Sequence, residues 1–201
     1  MMNKPFSQAC ENNKRPILNI LSQVFSETNH VLEIGSGTGQ HAVFFGQHLP
    51  HLTWQTSDLS INHQGINVWL AEATLANVQR PIAIDLNNAW PISETTPQMD
   101  GLYTANTLHI ISWPLVVKFF EAIAKNLAPQ AQVCIYGPFK YQGKFTSESN
   151  ANFDIWLKER DINSGIRDIE AILLLANAAG LNLIDDHMMP ANNRLLVFSK
   201  T

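Results

Sequence analysis

The chain has 201 residues, 45% hydrophobic and 15% charged, a balance that excludes a fibrous or disordered protein. Lysine and arginine total 13 against 17 acids, a formal net charge of -4 with no basic tract. Bulk attraction to nucleic-acid phosphates or anionic membranes is therefore not expected. The first ten residues lack the apolar core of a signal peptide, and no run of about 18 apolar residues marks a transmembrane helix. Two cysteines, Cys10 and Cys134, have no zinc spacing and fit a reducing, cytoplasmic setting. The length suits one domain over 1–201, with 1–28 as an N-terminal helical extension or lid.

Strand-like and helix-like patterns alternate along the chain. Ile17, Ile20, Leu21 and Val24 predict an opening helix with Pro16 in its first turn. His30 to Ile34 reads as a buried strand, Gln40 to His48 as a helix, and Leu52 to Thr56 as a second strand. Ile66, Trp69, Leu70 and Ala73 mark a helix stripe, and Pro81 to Ile84 a third strand. Asn87 to Gln98, with Pro91 and Pro97, reads as loop before a fourth strand, Leu102 to Ala105. Val116, Phe119, Phe120, Ile123 and Leu127 predict a helix stopping near Pro129, followed by a fifth strand, Gln132 to Tyr136.

A polar stretch runs from Gly137 to about Gly165. Ile169, Ile172, Leu173 and Ala176 then predict a last helix, with Gly180 just beyond its end. Leu181 to Asp186 and Leu195 to Phe198 close the chain as two strands around an Asn192-Asn193 turn. The alternation predicts a mostly parallel sheet covered on both faces. The last two strands are too closely linked to be parallel, so one antiparallel hairpin is expected.

The most informative segment is Glu33-Ile34-Gly35-Ser36-Gly37-Thr38-Gly39, where a buried strand enters a glycine bend before a helix. Glycine tolerates positive φ and leaves no Cβ between main chain and ligand. In open α/β sheets the ligand lies beyond the carboxyl ends of the strands. A tight strand-to-helix turn is the bland alternative, but the acids argue for a site. Asp58 follows the second strand, where a carboxylate can accept from ribose hydroxyls, and Asp85 follows the third, within reach of an adenine amino group. The alternative for either is a capping or surface residue. Dinucleotide enzymes favour G-x-G-x-x-G. Here the spacing is E-x-G-x-G-x-G, and a carboxylate at Glu33 suits a cationic sulfonium ligand better than a pyrophosphate.

With Ala105-Asn106-Thr107-Leu108-His109 after the fourth strand, these residues resemble the class I S-adenosylmethionine-dependent methyltransferases. More narrowly, the chain resembles the methyltransferase-like protein 26 family, also called domain of unknown function 938. The likeness runs from about Pro5 to Lys200, through Ser7 to Ile17, Tyr136 to Phe139, Ser149 to Asp154, Gly165 to Asp168 and Pro190 to Asn193. It implies a Rossmann-like three-layer α/β/α sandwich whose seven strands run in the order 3-2-1-4-5-7-6, strand 7 antiparallel. It also implies S-adenosylmethionine as cofactor, with Glu33, Gly35, Ser36, Gly37 and Gly39 around its methionine part. Asp58 and Leu59 would lie at the ribose, and Asp85 and Leu86 near the adenine, with Asn106 completing the set. The acceptor is unassigned, and a small molecule is expected. Ala105 to Leu108 lacks the Asn/Asp-Pro-Pro-Tyr of many amine methylators, which argues against an exocyclic-amine acceptor.

Methyl transfer needs alignment and exclusion of water, and a base only where the acceptor loses a proton. His109 is the expected base, and Tyr136 is a second candidate on the same side. The alternatives are a helix-entry histidine and an aromatic wall. Asn13, Lys14, Asn150 and Arg167 are the expected acceptor contacts, and Lys14 or Arg15 could pair with the cofactor carboxylate. His41, His48 and His51 lack carboxylate or thiol companions, so no metal is expected. A non-catalytic S-adenosylmethionine-binding protein and, less favoured by the glycine spacing, a nicotinamide-dependent oxidoreductase are the competing functions.

Overall fold

The computed structural model describes residues 4–92 and 98–201. The loop expected over 87–98 therefore lies partly outside the described residues. Ten strands are described: β1 (His30–Ile34), β2 (Thr53–Asp58), β3 (Val78–Ala83), β4 (Met99–Ala105), β5 (Leu127–Gly137), β6 (Phe139–Tyr141), β7 (Lys144–Phe145), β8 (Arg167–Asp168), β9 (Leu181–Met189) and β10 (Asn193–Lys200). The six α-helices are α1 (Gln8–Val24), α2 (Gln40–His48), α3 (His63–Ala73), α4 (Trp113–Asn126), α5 (Glu148–Arg160) and α6 (Ile169–Ala178).

Seven strands form one sheet in the order β3-β2-β1-β4-β5-β10-β9. Pairing is parallel from β3 through β5, and β10 runs antiparallel to both β5 and β9. This is the Rossmann-like methyltransferase topology expected from the sequence, its last hairpin included. Side chains alternate between the two faces, as the period of a strand requires. Val31, Tyr103, Cys134 and Val197 pack with Ile17, Leu21 and Phe25 of the first helical segment and Phe45 of α2. Leu32, Leu102, Val133 and Phe198 pack with Phe119 and Ile123 of α4 and Ile172 of α6. A small sheet, β7-β6-β8, adds to one side, with Phe139 of β6 buried in the same core as Phe119 and Ile172.

Three elements differ from the sequence reading. The first helix begins at Gln8, capped by Ser7, whose hydroxyl accepts from Cys10 N at 3.3 Å. Pro16 is thus inside the helix, and Asn12, whose carbonyl loses its helical donor, is exposed to water. Leu127 opens β5 instead of closing α4. The polar stretch after the fifth strand contains α5, whose buried residues are Asn150, Asp154 and Leu157 while Ile155 and Trp156 are exposed. Its inward face is largely polar, so no apolar stripe announces it.

Candidate active site

The chain leaves β1 through Gly35, Gly37 and Gly39, with φ of 74°, 56° and 87°. The glycines do different work. A Cβ on Gly39 would lie 3.2 Å from Ile66 Cα, so this position lets α3 approach the bend. A Cβ on Gly37 would meet nothing nearer than Gly35 O at 4.0 Å, and its side faces open space.

Two acids support the bend from different sides. Glu33 is buried and accepts from Ser36 Oγ at 2.9 Å and Trp54 Nε1 at 3.1 Å. Burial pushes its carboxyl up to about 7, against those two bonds, which favour the ionised form. It borders neither of the two cavities described below. Asp58, at the end of β2, accepts from Gly37 N, Leu59 N and Asn62 Nδ2, each at 2.7 Å.

A cavity of about 590 Å³ opens at the carboxyl edge of the sheet. It collects one element from beyond each of four successive strands: Gly35 to Gly37 after β1, Asp58 and Leu59 at β2, Asp85 and Leu86 after β3, and Asn106 after β4. Ser36 lies on the same rim. Asp85 accepts from Asn87 N at 2.8 Å and Asn88 Nδ2 at 3.3 Å, which turns the chain around it. Asn106 holds a positive φ of 55°, and its N–H donates to Tyr136 O at 2.9 Å. Ile110, Ile111 and Leu115 give the cavity an apolar wall that sequence reasoning missed. The available signal was the apolar pair directly after His109.

A second cavity, about 720 Å³, shares Ser7, Asn106 and Ile110 with the first. His109 faces it, 4% exposed, with Phe153 edge-on at 5.5 Å between ring centroids. Among the described residues nothing hydrogen-bonds the His109 ring. Burial, assisted by the charge of Arg167, pushes its pKa down to about 4, so the ring is neutral at neutral pH. Asn150 also borders this cavity, its amide donating to Thr146 Oγ1 and Asn192 O, both at 3.0 Å.

The other expected contacts lie behind the walls. Tyr136 borders neither cavity; its hydroxyl bonds with Asn13 and Asn193, and burial raises its pKa. Asn13 Oδ1 also faces His41 Nε2 at 2.7 Å, and His41 Nδ1 meets the Tyr103 hydroxyl at 3.2 Å. Lys14 pairs with Glu11 at 2.5 Å and lies over Phe44. Arg167 donates to the carbonyls of Leu108, Ile111 and Asn163, pinning the segment after β4. His48 and His51 turn to separate backbone carbonyls, those of Phe44 and Phe25. Among the described residues no group of three or more His, Cys, Asp or Glu is placed to hold a metal ion, and no helix is long and apolar enough to cross a membrane.

Comparison with known proteins places this geometry. The family model described as "Protein of unknown function (DUF938)" matches residues 4–200. An O-methyltransferase family protein from Burkholderia thailandensis superposes with a TM-score of 0.81 at 17% identity, over 94% of this chain and 56% of that one. Human N-acetylserotonin methyltransferase, solved with S-adenosylmethionine, gives 0.78 at 14% identity over 96% and 53%. An O-methyltransferase family 2 protein from Planctomyces limnophilus, solved with apigenin, gives 0.78 at 13% over 96% and 58%. The chain thus spans little more than half the length of these proteins, and the likeness establishes the shared fold.

Proposed function

The chain belongs to the DUF938 family, and from that premise we propose that it is an S-adenosylmethionine-dependent methyltransferase acting on a small-molecule acceptor. The observation that carries this reading is the single cavity in which Gly37, Asp58, Asp85 and Asn106 meet, drawn from the ends of four parallel strands. Methyltransferases of the same fold supply the precedent.

The residues fit the cofactor. The open side of Gly37 admits a ligand against the main chain. Of roughly four acceptor sites on the Asp58 carboxylate, three are taken by Gly37, Leu59 and Asn62, which leaves one for a sugar hydroxyl. Asp85 and Leu86 offer an acceptor and an apolar surface for the base. When bound, the cofactor supplies a methyl group activated by its sulfonium charge. The chain's own task is to align the acceptor and keep water out. Neutral His109, facing the second cavity, takes a proton from an acceptor hydroxyl. Tyr136 sets the Asn106 bend through its carbonyl. Glu33 acts on the bend through Ser36, which it holds.

Thermal-shift measurements with S-adenosylmethionine, S-adenosylhomocysteine, NAD and NADP test the cofactor. Stabilisation by the first two alone is expected; stabilisation by a nicotinamide cofactor alone contradicts the reading. Release of S-adenosylhomocysteine with fractionated metabolites then tests turnover, and its absence in every fraction would favour a binding protein.

A further inference from the structure

We propose that the second cavity binds an uncharged planar aromatic ring bearing a free hydroxyl, with the ring against Phe153 and Trp156 and the hydroxyl on the His109 imidazole. This rests on the methyltransferase reading, in which the second cavity is the acceptor side of the cofactor cavity. Three sets of observations lead to it.

The first is a ladder of planar groups along one wall. Phe153, Trp156 and Arg160 recur at helical spacing on α5 and all border the cavity. Phe153 and Trp156 lie stacked, 5.6 Å apart with 20° between planes. His109 meets Phe153 edge-on, and the Arg160 guanidinium lies 4.6 Å from the Trp156 ring. Four flat side chains thus run from the buried His109 to the rim. Trp156 remains 46% exposed, an aromatic surface without full cover beside a cavity of ligand size.

The second is how the polar lining is used. Both amide hydrogens of Asn150 go to Thr146 and Asn192. Those of Asn193 go to the carbonyls of Pro190 and Ala191, and the Ser164 hydroxyl goes to Ile110 O. These donors serve the protein itself and are not free for the hydroxyls of a sugar. The His109 ring faces the cavity and makes no hydrogen bond among the described residues. A ligand hydroxyl in the cavity can meet a ring nitrogen that no protein group engages.

The third is charge. Arg160 and Asp161 both border the cavity, and their formal charges cancel. That arrangement does not select a phosphorylated or multiply charged ligand.

Calorimetry on the S-adenosylhomocysteine-saturated protein tests the proposal, with 2-naphthol and its saturated counterpart decahydro-2-naphthol as probes. We expect 2-naphthol to bind at least tenfold more tightly. Trp156→Leu should remove most of that preference, and His109→Leu should weaken 2-naphthol severalfold, both with unchanged affinity for S-adenosylhomocysteine. That unchanged affinity also reports that each variant is folded. Equal binding of the two probes, or a preference that survives Trp156→Leu, overturns the aromatic assignment and leaves the cofactor reading standing. Failure of the wild-type protein to bind S-adenosylhomocysteine removes the cofactor reading and this inference with it.

Discussion

The carboxylate of Asp58 accepts the main-chain N–H of Gly37 at 2.7 Å, tying the end of the second strand to the middle of the glycine bend. One acid therefore both shapes the bend and borders the space beside it. Asp58→Ala should weaken S-adenosylmethionine binding about tenfold or more. It should also lower the unfolding temperature, because Gly37, Leu59 and Asn62 lose their acceptor together. Calorimetry and thermal unfolding check the two effects, and unchanged affinity would detach Asp58 from the cofactor.

Gly37→Val separates ligand space from backbone support. Its Cβ would meet nothing of the protein nearer than Gly35 O at 4.0 Å. The cost to folding is then the positive φ of 56°, about 1–2 kcal/mol. Cofactor binding should be abolished while the protein remains folded. A Gly37→Val protein that binds S-adenosylhomocysteine normally by calorimetry would place the ligand elsewhere.

Glu33 makes stability depend on pH in a predictable direction. Its folded pKa of about 7 lies above the unfolded value of 4.5, so the folded state holds this proton more tightly. The stabilisation is full below about pH 4.5 and disappears as pH rises through 7, an effect on the order of 3 kcal/mol. Relative to wild type, Glu33→Gln should therefore gain stability between pH 5 and pH 8. Urea unfolding at the two values measures it, and parallel curves for the two proteins contradict the assignment.

His109 carries the opposite sign. A folded pKa near 4 lies below the unfolded 6.5, so its contribution is present above pH 6.5 and lost as pH falls through 4. The imidazole should titrate by NMR with a midpoint close to 4 and stay neutral through the physiological range. A midpoint above 6 would show the ring to be hydrated and contradict its burial.

Arg167 is a bracket for the segment that presents His109. Arg167→Met leaves the carbonyls of Leu108, Ile111 and Asn163 without this donor and should destabilise the protein by roughly 2 kcal/mol or more. Arg167→Lys should recover little, because an ammonium cannot span the positions that the planar fork reaches. Full recovery in urea unfolding would count against the bracket.

The sheet was legible where its strands are apolar and punctuated: Val31 and Leu32 ahead of the glycines, and Leu195 to Phe198 after a turn, each announce themselves. The glycine bend, the acid that ends β2 and the acid beyond β3 were legible for the same reason, since turn chemistry and strand ends are local. α5 was hidden because its inward residues, Asn150 and Asp154, bind polar partners instead of a core. Its caps did signal it, with Ser147 accepting from Asn150 N and Lys158 and Arg160 in the last turn. Lys14 and Arg167 had the right charge for ligand contacts, but sequence alone could not reveal that each already had a partner within the protein.

Ser7, Asn106 and Ile110 stand on the boundary between the two cavities. An occupant on either side that prefers one arrangement of these three residues alters the other side's affinity, and thermodynamics makes the influence mutual and equal. The partition is therefore the natural place for communication between the occupants of the two cavities: whichever arrives first prepares, or spoils, the seat of the second.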